Sequence, residues 1–427
     1  MNVESPYQCL ATSFSRRATN PVQVGNITIG GDHPIVIQSM ITEETGNTLG
    51  AVAQIRQLHE IGSEIVRVTT PTLRDAQNLA AIKQELKKSY MDVPLVADVH
   101  HQGADIAIEA ARYVEKVRIN PGLFVYHKRV GRAEEYTQDE IDAQYEEIDR
   151  ALQPVIRALK DHGRALRLGA NHGSLAERLL VMYGDTPLGM VESVMEYLRI
   201  LERNNYHDTV ISLKASTVPV MIEANRLMVK EMEKEGMNYP LHLGVTEAGN
   251  AQEARIKSTL GIGTLLAEGI GDTIRVSLAE DPINEIEVCR DILQGLGLHR
   301  YKMEFIACPG CGRTKFDLAE VSNWVKETTK HLKDLKIAVM GCIVNGLGEM
   351  ADADYGFVGL GGATVALYRG KRLSNSQLPQ LARHVSQEES LPALIELIKS
   401  DGYWQEPKGG WVLPSMPPQL KTRIQFP

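Results

Sequence analysis

The sequence predicts an α/β protein: an N-terminal TIM (β/α)8 barrel followed by a smaller α/β domain. Three observations carry that prediction. Eight short β-branched runs recur along the first two-thirds of the chain, each followed by a helical pattern, as in an eightfold barrel. The runs are almost continuously apolar, which suits parallel strands covered by helices. No glycine fingerprint follows the first run, as a doubly wound nucleotide-binding sheet would require. The G-x-G in "GIGTLLAEGIG" (261–271) precedes a strand instead of following one.

The chain opens on "MNVESPYQCLATSFSRRATN", which lacks an apolar signal core. Residues 1–24 read as an N-terminal arm, with serine and arginine the only features shared with a transit peptide. The barrel is expected over residues 25–288, its strands in "PIVIQSM" (34–40), "EIVRVTT" (64–70), "PLVADVH" (94–100), "KVRINP" (116–121), "LRLGANH" (166–172), "VISLKAS" (210–216), "LHLGVTEA" (241–248) and "TIRVSLA" (273–279). After the first strand, Val52, Ile55, Leu58 and Ile61 share one helical face, and Gly62 offers a left-handed cap. Leu79, Ile82 and Leu86 repeat the design. The charged stretch "TQDEIDAQYEEIDRALQPVIRALKDHG" reads as extra helices outside the barrel. In "PINEIEVCRDILQGLGLHRY", Cys289 joins Ile286, Ile292 and Leu293 on an apolar face, so it reads as a packed core thiol.

A second domain is expected over residues 289–400. Its strands are "MEFIAC", "KIAVMG", "YGFVGL" and "TVALYRGKRL". A helix covers "DLAEVSNWVKETTKHLKDL", placing His331 mid-helix, and a last helix runs from about Gln377 to Lys399. Residues 401–427, rich in proline and glycine, read as a tail.

Composition narrows the function. A net charge of −8 argues against a nucleic-acid surface. No apolar run reaches the ~20 residues that cross a bilayer. Five cysteines in 427 residues make no disulfide framework, so a reduced, cytoplasmic setting is expected, with clustered thiols serving metal or redox chemistry.

In such barrels the reactive face lies at the C-terminal ends of the strands. Those ends carry Arg67, Arg118 with Asn120, Arg167 with Asn171, Lys214, Glu247, and Arg275 with Ser277. A single arginine there reads as a structural ion pair, to Asp98 or Asp272. Five converging cations would repel one another at low dielectric unless an anion filled the mouth. A polyanion suits arginine forks and a lysine point charge, with Asn120, Asn171, Thr246 and Ser277 as neutral donors. Glu247 is either a counter-ion or an acid–base group, and spacing leaves both open. Asp98 and His100 are weaker candidates.

"FIACPGCGRTKFDL" and "VMGCIVNGLGE" bring Cys308, Cys311 and Cys342 to turns after strands. A structural zinc site closes with a fourth Cys or His, and none stands near Cys342. The nearest donor is Glu349, a harder ligand than thiolate. One reading is a [4Fe–4S] cluster held by three thiolates and an exchangeable Glu349. The other makes Glu349 a loop carboxylate beside a zinc ribbon. Two rival functions follow: a zinc-stapled binding module, or a barrel aldolase using Lys214 as a Schiff base.

The motifs "EIVRV", "PLVADVH", "VRINPG", "RLGANHGSL", "ISLKAS", "GVTEAG", "IRVSL", "CPGCGR" and "GCIVNGLGE", in that order from about Val24 to Arg369, resemble the 4-hydroxy-3-methylbut-2-enyl diphosphate synthase family of the methylerythritol phosphate route to isoprenoids. The resemblance implies a barrel holding a diphosphate and a ferredoxin-like, sulfite-reductase-like domain holding a [4Fe–4S] cluster. It implies that Arg67, Arg118, Arg167, Lys214, Arg275 and Ser277 bind the diphosphate, with Asn120, Asn171 and Thr246 nearby. Glu247 is implied as the active-site acid, and Cys308, Cys311, Cys342 and Glu349 as cluster ligands. The implied substrate is 2-C-methyl-D-erythritol 2,4-cyclodiphosphate, with ferredoxin or flavodoxin as electron donor. A homodimer is implied too, one chain's cluster domain closing over the partner's barrel. His172 departs from the smaller residue of many relatives, and the large insert of plant-type enzymes is absent.

Overall fold

The structure, a computed structural model, describes residues 15–99, 103–125 and 135–407. His100 and the tail beyond residue 407 lie outside the described residues. The chain divides into two compact units, Met1–Leu296 and Gly297–Pro427.

In the first unit, β1 (Val22–Val24) and β2 (Ile27–Ile29) pair as an antiparallel hairpin. Eight parallel strands follow: β3 (Val36–Met40), β4 (Ile65–Thr69), β5 (Leu95–Val99), β6 (Lys116–Ile119), β7 (Ala165–Asn171), β8 (Thr209–Lys214), β9 (His242–Leu243) and β10 (Thr273–Ile274). Each overlaps one of the eight apolar runs, β7 and β8 starting one residue earlier. The sheet orders them β8-β7-β6-β5-β4-β3-β10-β9, and a parallel bridge between Ile211 and Leu241 joins the two ends into a barrel. The hairpin plugs the floor: Val22, Val24 and Ile29 pack on Val36, Ile65, Val96, Ala165 and Val210. The end of the expected arm is therefore core, anchored by Arg16 and Thr19 on Asp272 at 2.8 and 3.0 Å.

The surrounding helices form because each buries one apolar stripe. The helix Thr48–Ile61 buries Val52, Ile55 and Leu58, and Gly62, at φ 116°, ends it in a conformation that only glycine adopts cheaply. The charged stretch is one 25-residue helix, Gln138–His162, and not several helices outside the barrel. Its C-terminal half buries Leu152, Val155, Ile156 and Leu159 and packs between the helices Ala104–Ala111 and Pro187–Arg203, so it belongs to the barrel's outer ring. The expected boundary at 288/289 falls inside the helix Ile283–Gly295, which packs on β3 and the helix Thr48–Ile61.

The second unit is a mixed α/β sheet ordered β11 (Glu304–Ala307), β12 (Lys336–Met340), β13 (Tyr355–Gly361), β14 (Thr364–Arg369) and β15 (Gln380–Ser386). β11, β12 and β13 are parallel; β14 and β15 are antiparallel additions. Val321, Trp324 and Val325 of the helix Leu318–Thr329 share its core with Ile337, Phe357, Leu367 and Leu394. The last helix is shorter than expected, Ser390–Ser400, because "QLARHVS" pairs with β14 as a strand. His331 is likewise not mid-helix. It follows the helix, bonds the Gln405 carbonyl at 2.8 Å and packs edge-on to Trp404.

Candidate active site

The C-terminal ends of the barrel strands enclose a cavity of about 200 Å³ lined by Arg67, Asp98, Arg118, Arg167, Asn171, Lys214, Thr246, Arg275 and Ser277. Alternation along each strand explains the gathering, since every second side chain points inward. Arg67, Arg118, Arg167 and Lys214 are all at most 8% exposed.

Two carboxylates organise part of this charge. Asp98 receives Arg118 at 2.7 Å and lies 3.6 Å from Arg67. Burial alone would raise the Asp98 pKa, but Arg118, Arg67 and Arg167 together hold it well below the usual carboxylate range. Glu285, from the helix Ile283–Gly295, takes the Arg275 fork at 3.0 and 3.2 Å and the Ser39 hydroxyl at 2.9 Å. Asp272 plays no part here; it accepts from Arg16, Thr19 and Leu241 N.

The remaining cations are held against their own preference. Burial, then Arg67 and Arg118, depresses Arg167, whose Nε and Nη1 have no hydrogen-bond partner among the described residues. Burial, then Arg167 and Arg67, pushes Lys214 well below the lysine range. Burial brings Arg67 down to about 10, opposed by Asp98. Five basic side chains face two carboxylates, an excess of three bases over acids in one cavity. Gly244 lets Lys214 in: a Cβ there would lie 2.7 Å from Nζ.

Two expected residues stand outside the cavity lining. Asn120 caps the short helix Pro121–Phe124, accepting from Gly122 N at 3.2 Å and donating to Ser174 Oγ at 3.2 Å. Glu247 is exposed, beside the lining residue Thr246, at a φ of 52° that is costly for a residue with a Cβ. His172 ties its loop to the Asp185 carbonyl at 3.1 Å. Sequence reasoning missed Glu285. A carboxylate one residue before Ile286, four before Cys289 and on the same buried helix face was the available signal.

The thiols lie in the second unit. Cys308 follows β11, and Cys342 starts the helix Ile343–Glu349 after β12, the strand paired to β11. Cys308 Sγ accepts from Gly341 N at 3.2 Å. Arg313 Nε donates to Cys311 Sγ at 3.4 Å, which lowers the pKa of that exposed thiol. Cys311 first, then Cys342 and Glu349, raise the Arg313 pKa, so these groups share one electrostatic neighbourhood. Among the described residues no three His, Cys, Asp or Glu side chains converge on a single-ion site. Three free thiols on adjoining turns, with a carboxylate at the far end of the helix that Cys342 caps, match an iron–sulfur cluster in donor type. Cys289, in the first unit, is fully buried, its thiol pushed up to about 12 by burial.

Comparison with known proteins agrees across both units. The GcpE TIM-barrel domain matches residues 19–290, and the GcpE protein C-terminal domain matches residues 304–400. The chain is 58% identical over 396 residues to a 4-hydroxy-3-methylbut-2-en-1-yl diphosphate synthase (ferredoxin) of Rippkaea orientalis, covering 93% of this chain and 96% of the relative. A protein of the same name from Thermosynechococcus vestitus is 57% identical over 405 residues, covering 94% and 99%. A solved sialic acid synthetase from Leptospira borgpetersenii is 13% identical with a TM-score of 0.42, covering 66% of this chain and 91% of its own, a likeness too distant to bear on function. With both domain models matched in order and relatives aligned over nearly their whole length, the chain belongs to the GcpE family.

Proposed function

We propose that the chain reduces and opens 2-C-methyl-D-erythritol 2,4-cyclodiphosphate to (E)-4-hydroxy-3-methylbut-2-enyl diphosphate, in isoprenoid precursor biosynthesis by the methylerythritol phosphate route. Two electrons and two protons enter and one water leaves. The observation that carries this reading is the buried mouth, whose excess of three basic side chains over carboxylates calls for a polyanion of diphosphate size. The names of the relatives agree with it and supply ferredoxin as the electron donor.

In this reading Arg67, Arg118, Arg167, Lys214 and Arg275 neutralise the diphosphate, while Asn171, Thr246 and Ser277 orient it with neutral donors. The fixed cations stabilise the negative charge that gathers on the diphosphate as the ring C–O bond opens. Glu247, at the rim beside Thr246, holds the proton with which the substrate hydroxyl departs as water. Cys308, Cys311 and Cys342, with Glu349 as the replaceable fourth ligand, would hold a [4Fe–4S] cluster. When bound, that cluster supplies single electrons and a Lewis-acidic iron. Asn120 serves here as a cap behind the site. The proposal includes a cytoplasmic setting, which keeps the thiols reduced, and a homodimer in which one chain's cluster domain serves its partner's barrel.

Anaerobic purification with iron and sulfide analysis tests the reading, followed by turnover of the cyclodiphosphate with reduced ferredoxin. Four irons and four sulfides per chain, with the allylic diphosphate as product, are expected. Stoichiometric zinc without labile sulfide overturns it. Mixing a barrel variant with a thiol variant tests the dimer: no recovery of activity removes that part.

A further inference from the structure

Beneath the mouth the barrel carries a second set of polar groups that the anion site leaves unused. Residues two apart on a strand share a face. Gln38, Lys116, Ser212 and His242 therefore lie one interior position below Met40 on β3, Arg118 on β6, Lys214 on β8 and Gly244 just after β9. All four are at most 1% exposed. Gln38 Nε2 and Oε1, Lys116 Nζ, Ser212 Oγ and His242 Nε2 have no hydrogen-bond partner among the described residues. Buried polar atoms in folded proteins are seldom left so, and four such side chains from four strands are not a local accident.

Lys116 is the member that cannot be explained by packing. In register it sits between Val96 and Ala165 of the apolar floor. The carboxylate before it, Glu115, faces the outside of the barrel, held by Lys83 Nζ and Leu95 N at 2.8 Å each. Asp98 on β5 is committed to Arg118 and Arg67. The charged groups acting on Lys116 are Arg167 of β7 and Arg67 of β4, both cations, and His242 of β9 faces it as well. Burial, then those two arginines, lowers the Lys116 pKa well below the lysine range. Burial, then Lys214, Arg167 and Lys116, does the same to His242, whose Nδ1 lies 3.4 Å from Thr273 Oγ1. An ammonium in this place has no counter-charge until an anion reaches Arg67 and Arg167, which both line the cavity.

We propose that Lys116 is a switchable cation of the anion site, neutral while the mouth is free and protonated from solvent when a diphosphate fills it. This rests on the diphosphate reading of the mouth. The incoming negative charge reverses the local potential, and the new ammonium finds acceptors in Gln38 Oε1, Ser212 Oγ and the unprotonated His242 Nε2 through bound water. Lys116 is thus a positioning residue: it touches no substrate and acts through Arg67 and Arg167. Because the bound state holds the extra proton, affinity for the anion rises as pH falls from the bound-state pKa of Lys116 towards its free-state pKa.

The test is titration calorimetry of the full chain, purified anaerobically, with inorganic pyrophosphate in two buffers of different ionisation enthalpy. Pyrophosphate placed among arginines sheds protons, so net uptake has to come from the protein. Wild-type protein is expected to take up protons, and Lys116→Met to take up about one fewer per site, with a flatter pH dependence of affinity. Equal uptake in both proteins overturns the switch while leaving the diphosphate site standing. Failure of wild-type protein to bind pyrophosphate overturns the site and the switch together. Lys116→Gln serves if the methionine variant does not fold. If neither folds, wild type is compared with Lys214→Met, which removes the other depressed lysine of the barrel: uptake that survives this change supports the switch, and uptake lost with Lys214 overturns it.

Discussion

At the barrel mouth, Arg118 and Arg167 are at most 3% exposed, and Asp98 and Glu285 hold three of the five cations through direct ion pairs. At the thiol loops, Cys311 and Glu349 are exposed, and the donors share a neighbourhood without gripping one point. The first region is organised by the strands that carry it, because each inward position is dictated by the pleat and the register. The second region rests on turns after β11 and β12, where the backbone sets which residues are near but leaves their side chains latitude. The protein's own carboxylates neutralise only part of the charged pocket. A set of soft donors is completed by the inorganic group that bonds to all of them.

Substitutions should separate the two regions, starting with the largest effect. Cys342→Ser is expected to abolish iron and sulfide binding and to cost turnover more than about a thousandfold, while pyrophosphate binding to the barrel stays near wild type. Loss of both at once would mean that the regions are not independent. Glu247→Gln should lower turnover by about a thousandfold with substrate affinity little changed, and near-normal kcat would remove the acid role. Asp98→Asn should destabilise the barrel by about 3 kcal/mol in urea unfolding near neutral pH, since it leaves Arg118 and Arg67 buried without their counter-ion. The Asp98 pKa is depressed in the folded protein, so its contribution is full above the ordinary carboxylate pKa of about 4 and fades as pH falls towards the lower folded value. The gap between wild type and Asp98→Asn should therefore narrow in acid; a gap constant down to the acid limit would show that Asp98 acts through packing alone. Cys289→Ala should cost about 1 kcal/mol and leave iron content unchanged, as befits a buried thiol among Ile286, Ile292 and Leu293. A fall in iron content would bring Cys289 into the thiol chemistry.

The barrel strands were legible because burial on both faces writes itself as unbroken apolar runs, and a cation inside such a run stands out at once. Arg118 in "VRIN" and Lys214 in "ISLKAS" are of that kind. Glu285 was hidden because its partner, Arg275, lies ten residues away across a loop, and only folding brings the helix face against the strand end. Asn120 was legible as a polar residue after a strand, but not as the cap of a four-residue helix. "QLARHVS" fits a helix or a strand by composition, and the open edge of β14 decided the matter.

By itself the sequence determined the eightfold alternation, the cations within it and the spacing of the thiols, because these depend on residue types at short range. Only the tertiary structure decided which charges are neutralised, which remain in excess, and that Lys116 lies among cations with no carboxylate of its own. The physical reason is that ion pairing and desolvation act between side chains brought together from distant strands, and distance along the chain does not report distance across a barrel.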